Sequence, residues 1–171
     1  MKHLISLLCI LYCSTLALQA TDISNTLLEK NINIYGPIYK EGKIIHSEKE
    51  GSFVFSFSGE ADSKQPYGKV IQIYTPLWKL KPGKYSMTIE LKSTTDSVGI
   101  PLQLTGKDNS GEDPKELTSY YCPEIGTTWK PYSLTVDISK NVIHGYLLLR
   151  VGNVPKNCEI SLKPTITFSK I

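Results

Sequence analysis

The stretch Leu80-Lys81-Pro82-Gly83-Lys84-Tyr85-Ser86-Met87-Thr88-Ile89-Glu90-Leu91-Lys92 decides the fold class of this chain. A Pro-Gly turn signal opens it, and from Tyr85 to Leu91 every second residue is apolar, the period of a half-buried strand rather than of a helix. Successive side chains along a strand point to opposite faces, so Tyr85, Met87, Ile89 and Leu91 form one core row and the residues between them form an outer row. The same texture extends in both directions. Runs at 53–58, 69–76, 84–92, 99–105, 116–122, 128–137, 144–151 and 158–168 are rich in β-branched and aromatic residues. Turn clusters such as Asp108-Asn109-Ser110-Gly111 and Gly152-Asn153-Val154-Pro155 separate them. No segment sustains a helical period. The eight runs predict an all-β fold, a two-sheet antiparallel β-sandwich with four strands in each sheet. Ile100, Leu102 and Leu104, and Leu147, Leu149 and Val151, supply two further core rows. Residues 21–52 are less regular, with 31–35 and 43–46 forming either a hairpin around Gly36-Pro37 or a pair of edge strands.

Length and composition set outer bounds. The 171 residues, 40% hydrophobic and 20% charged, suit one domain. A formal net charge of +3 is mild, and Arg150 is the only arginine in the chain. Arginine is the residue that reads guanine edges and clamps phosphates with two parallel hydrogen bonds, so nucleic acid is not an expected partner. At the N-terminus Lys2 and His3 precede an apolar run from Leu4 to Leu18, followed by Gln19-Ala20 and the polar Thr21-Asp22. Residues 1–20 therefore read as a secretory signal peptide cut after Ala20, with 21–171 as a single domain outside the cytoplasm, secreted or periplasmic. No later stretch is long and apolar enough for a membrane span. Removing the leader takes Cys9 and Cys13 with it, and the remaining pair, Cys122 and Cys158, is expected to form one disulfide.

Three motifs fall in an order that carries a resemblance. The opening Leu80–Lys92 segment resembles the strand start of carbohydrate-binding modules of the family 4, 9 and 22 type, which have a galactose-binding-like jelly roll. Thr127-Thr128-Trp129-Lys130-Pro131-Tyr132-Ser133-Leu134-Thr135-Val136 is similar to a later strand of the same modules, and the 145–151 stretch to another. The likeness spans about 50–168 and implies a jelly roll whose ligand groove lies on one sheet. The chain departs from the family at both ends. It has Asn25-Thr26-Leu27-Leu28-Glu29-Lys30 where a calcium-binding opening motif often stands, and the closing strand at 160–169 carries no acid. A structural calcium site is therefore not supported, and no metal or cofactor is expected.

In jelly-roll order the second, fourth, fifth and seventh runs share a sheet. Their outward positions include Thr118 and assemble Gln72, Tyr74, Gln103, Thr105, Tyr120, Tyr146 and Arg150 into one patch. Aromatic rings stack on the C–H faces of sugars, while amide and guanidinium groups bond the hydroxyl rims, so this patch suits a polysaccharide or oligosaccharide. Trp129 is expected in the core, and Trp78 either at a groove rim or closing the core's end. Chemistry is hard to assemble. His46 and His144 have no metal-ligand spacing, no nucleophile elbow occurs, and Asp108, Glu112 and Asp113 read as a solvated hairpin tip. The sequence thus points to a non-catalytic carbohydrate-binding domain and not an enzyme. The alternative is a structural or protein-interaction sandwich whose partner is a secreted or envelope protein, towards which the lack of a second domain before Ile171 leans.

Overall fold

A computed structural model describes residues 22–35, 43–49, 51–58, 70–108, 117–138, 142–152 and 154–171. The expected signal peptide at 1–20, the turn expected at Gly36-Pro37, the ends of two expected strands at Lys69 and Glu116, and the segment 109–116 read as a hairpin tip lie outside them. The chain forms strands β1 (Ile23–Thr26), β2 (Ile32–Tyr35), β3 (Lys43–Lys49), β4 (Ser52–Ser58), β5 (Val70–Pro76), β6 (Gly83–Ser93) and β7 (Val98–Gly99). It continues with β8 (Leu102–Asp108), β9 (Leu117–Tyr121), β10 (Glu124–Ile125), β11 (Lys130–Ile138), β12 (Val142–Arg150), β13 (Glu159–Leu162) and β14 (Thr165–Lys170). One 3₁₀ turn, Glu29–Asn31, joins β1 to β2.

The strands build an antiparallel β-sandwich of jelly-roll type. One sheet has seven strands in the order β1-β14-β6-β13-β4-β3, with β11 on the free side of β6; the other has five, in the order β2-β5-β12-β8-β9, and β10 pairs with β7 in a separate two-stranded ribbon, which corrects the expected four strands in each sheet. The quoted stretch is the spine of the larger sheet. Along one edge β6 pairs with β11 from Gly83↔Ile138 to Leu91↔Lys130, and along the other it pairs first with β14 and then with β13. Tyr85, Met87, Ile89 and Leu91 all point into the core, where they meet Ile71, Ile73, Leu102, Leu104, Leu147 and Leu149 of the smaller sheet. The grouping of runs two, four, five and seven in one sheet holds, with β2 added at its edge.

Strands β1, β2, β3 and β10 lie outside the eight runs, and two prolines divide two of the runs. Proline donates no backbone hydrogen bond, so Pro101 divides the fourth run into β7 and β8, and Pro164 divides the eighth into β13 and β14. The hairpin reading of 31–35 and 43–46 is corrected: β2 pairs with β5 and β3 with β4, in different sheets, so each is an edge strand. At the opposite side the sheets approach each other, and the Ser119 hydroxyl on β9 donates to the Thr135 carbonyl on β11.

The expected disulfide is also corrected. Cys122 is exposed just past β9, whereas Cys158 is buried and free, its sulfur 3.2 Å from the Ser93 hydroxyl and accepting from the Thr94 hydroxyl at 3.7 Å. In a chain starting at Thr21, a water-soluble thiol reagent should modify one cysteine in the native state, and Cys122→Ser should remove that reaction. Cys158 should react only after unfolding; a native protein with no reactive thiol would contradict this arrangement.

Gly145 holds the centre of the smaller sheet against the core. A Cβ there would stand 2.9 Å from Leu77 Cδ1, 3.1 Å from Thr75 Oγ1 and 3.3 Å from Leu104 Cδ1, and Leu77, Thr75 and Leu104 are all fully buried. Gly145→Ala is expected to destabilise the domain by about 1–3 kcal/mol through overpacking. Denaturant unfolding should show a lowered midpoint at unchanged slope.

Candidate functional site

The central strand of the smaller sheet builds the site. Along β12, Gly145, Leu147 and Leu149 point inward and are buried, while His144, Tyr146, Leu148 and Arg150 alternate outward and are half-buried. Register with the neighbouring strands sets which side chains stand beside them. Tyr146 lies opposite Tyr74 on β5 and Thr105 on β8; Leu148 lies opposite Gln72 and Gln103; and Gln72 in turn faces Asn33 on β2. The outermost strand places Tyr120 opposite Gln103.

Three rings form a cluster on this face. Tyr74 and Tyr146 meet edge to face at 5.8 Å between centroids, His144 and Tyr146 at 5.4 Å, and Tyr74 and His144 are tilted at 5.6 Å. An irregularity in the β12–β8 pairing between Val142 and His144 marks the start of this cluster, the kind of bulge that re-aims a side chain. Beside the rings is a depression of about 480 Å³ lined by Lys30, Asn33, Gln72, Tyr74, Thr105, Tyr146 and Leu148. One row further along, Gln103 Oε1 accepts two hydrogen bonds from Arg150, at 2.8 Å from Nη2 and 3.3 Å from Nε, which fixes the guanidinium on the sheet.

Of the residues singled out from sequence, Gln72, Tyr74, Thr105 and Tyr146 line the depression. Gln103, Arg150 and Tyr120 share the sheet face without lining it, and the Thr118 side chain lies outside the described set. Sequence reasoning missed Lys30, Asn33, Leu148 and His144. Leu148 and His144 follow from the alternation that gave Tyr146 and Arg150, so that signal was present. Lys30 and Asn33 arrive through the pairing of β2 with β5, which no local pattern announces. Among the described residues no group of three His, Cys, Asp or Glu side chains could hold a metal ion. No helix among them is long and apolar enough to cross a membrane.

The tryptophans part from this surface in different ways. Trp78 projects from the loop after β5 and is 63% exposed, while its neighbours Leu77 and Leu80 are buried and close the core's end. That places it at a rim, with Lys79 Nζ 5.0 Å from its ring. Trp129 is a correction: it is half-buried outside the core, with Lys92 Nζ 5.0 Å and Lys163 Nζ 4.6 Å from its ring centre. Long lysine stems cover apolar surface while their heads stay wet, so this indole is shielded without entering the sandwich.

No protein-family model matches the chain, and no curated protein matches it. Solved structures do. A CBM4 superposes with a TM-score of 0.58 at 11% identity, over 89% of this chain and 97% of the other. The CBM1 of BiXyn10A gives 0.52 at 11%, over 89% and 98%. The Clostridium thermocellum xylanase 10B CBM22-1-GH10 modules, complexed with xylohexaose, give 0.52 at 11%, over 89% of this chain and 28% of that one. The fold is that of carbohydrate-binding modules. At such identities the likeness extends to the fold alone.

The two indoles should report this geometry in solution. With Trp78 exposed and Trp129 under lysines, Trp78→Phe is expected to remove most of the emission quenched by a neutral solute, and Trp129→Phe to leave most of it. Equal loss from both variants would contradict the placement.

Proposed function

We propose that the protein binds carbohydrate without catalysis, through the outer face of its five-stranded sheet. The observation that carries this is the ring cluster of Tyr74, His144 and Tyr146 beside a depression edged by the amides of Asn33 and Gln72 and the hydroxyl of Thr105. Stacking surface and planar hydrogen-bonding groups together are what a pyranose ring requires. Gln103, Tyr120 and Arg150 extend the same face beyond the depression, as added contacts for a longer oligosaccharide or polysaccharide. The fold shared with carbohydrate-binding modules agrees with this use of the sheet. In the same reading residues 21–171 act as one secreted or periplasmic domain after loss of the leader, and need neither metal nor cofactor.

Affinity electrophoresis through gels containing a panel of polysaccharides tests the proposal. Tyr146→Ala and Tyr74→Ala are each expected to weaken retention at least tenfold, about 1.4 kcal/mol. Both rings stand on the solvent side of the sheet, so the thermal midpoint should stay close to that of the unaltered protein. A panel that never retards the protein would overturn the proposal. A stoichiometric protein partner captured through the same tyrosines would favour the protein-interaction reading instead.

A further inference from the structure

The turn Leu77-Trp78-Lys79-Leu80 lies between β5 of the smaller sheet and β6 of the larger, and it is anchored at both feet. The Leu80 amide donates to the Leu77 carbonyl at 2.9 Å, and the two leucines are 0% and 7% exposed for Leu77 and Leu80. Trp78 and Lys79 form the tip between them. Trp78 is the most exposed aromatic side chain among the described residues, at 63%, and is so with the Lys79 ammonium 5.0 Å from its ring. Tight turns favour glycine, proline, asparagine, aspartate and serine, whereas an indole gains most from burial. Neither turn chemistry nor core packing accounts for a tryptophan at this tip.

Its place relative to the ring cluster does. The outward side chains of β5 follow one another as Gln72, Tyr74 and Pro76, and Pro76 lies opposite His144. Trp78 comes next along the chain, and its Cα is at most about 14 Å from that of Tyr74, the reach of a fully extended chain. The root of the turn is also fixed to the cluster. A Cβ on Gly145 would stand 2.9 Å from Leu77 Cδ1, so Leu77 is seated on the residue between His144 and Tyr146. The indole does not line the depression beside the rings. It follows them at the end of the sheet marked by Pro76 and His144.

We infer that Trp78 is a second stacking platform for the ligand of this face. The glycan is then read over several sugar units, one against Tyr74 and Tyr146 and a later one against the indole, its chain running off the end of β5 toward the turn. With Leu77 and Leu80 already buried, the platform is ordered before the ligand arrives, which lowers the entropy cost of using it. This rests on the glycan-binding reading above and adds to it a further subsite and a dependence on chain length.

Calorimetric titration with cello-, xylo- and manno-oligosaccharides, each from disaccharide to hexasaccharide, tests the inference. In at least one series the unaltered protein should gain affinity with length. Trp78→Ala should cost the hexasaccharide about tenfold, as for a truncated aromatic anchor, and leave the disaccharide within about twofold. Trp78→Tyr, which keeps a ring, should recover most of the loss, while Tyr146→Ala should weaken every length. The indole supplies an independent readout: the hexasaccharide should shift the emission of Trp129→Phe, which retains Trp78, and not that of Trp78→Phe. Trp78→Ala binding every length as the unaltered protein does, or losing equally at every length, would overturn the inference and leave the glycan-binding function standing. Should no series bind while a polysaccharide is retained through Tyr146, the inference likewise falls alone. If no glycan is retained at all, both fall.

Discussion

The alternation of β12 is the constraint on which the rest depends. One face of this strand grips the core through Leu147 and Leu149, both fully buried, while the other presents His144, Tyr146, Leu148 and Arg150. Full burial of each leucine contributes about 1.5–3 kcal/mol. A register slip of one residue would turn those leucines to water and the polar row inward, so the energetics of the core hold the outer face in place. Gly145 completes the arrangement by letting Leu77, Thr75 and Leu104 close against the strand where a methyl group would collide. The position of Tyr146 is thus specified from beneath, by packing, before any ligand is considered.

What the sequence disclosed was what is periodic. The row from Tyr85 to Leu91, and the matching rows on β8 and β12, gave the sandwich, its core and the shared sheet, because a period of two is written into consecutive residues. Contributions from tertiary pairing were hidden. β1 is a short, mostly polar segment, Ile23-Ser24-Asn25-Thr26, and becomes a strand only because β14 lies open beside it. Lys30 and Asn33 reach the site for the same reason, through the pairing of β2 with β5. Trp129 misled because indole is large and apolar, yet two lysine stems can shield it at the surface. Cysteine count misled because number says nothing of direction: one sulfur faces solvent and the other is enclosed by Ser93 and Thr94.

The two faces of the sandwich also divide labour by composition. The larger sheet carries paired hydroxyls such as Thr88 with Ser133 at 2.7 Å, which satisfy one another across strands, and on its outer row an acid, Glu90, alternates with the bases Lys84 and Lys92. The smaller sheet collects rings and amides in its outer row, with the Gln103 amide oxygen accepting from Arg150. Both faces obey the same strand geometry, and the difference lies wholly in which residues occupy the outer row.

The pairing of β1 with β14 has a mechanical consequence. These strands run antiparallel with Ile23 opposite Phe168, so the backbone leaves both at the same end. Tension applied between residues 22 and 171 would peel this pair one hydrogen bond at a time rather than shear it whole. The next segment freed is the 3₁₀ turn and β2, which carry Lys30 and Asn33, long before the strands around Leu147 feel the load. A domain held by its two ends and pulled would loosen the rim of its own groove first and keep its core to the last.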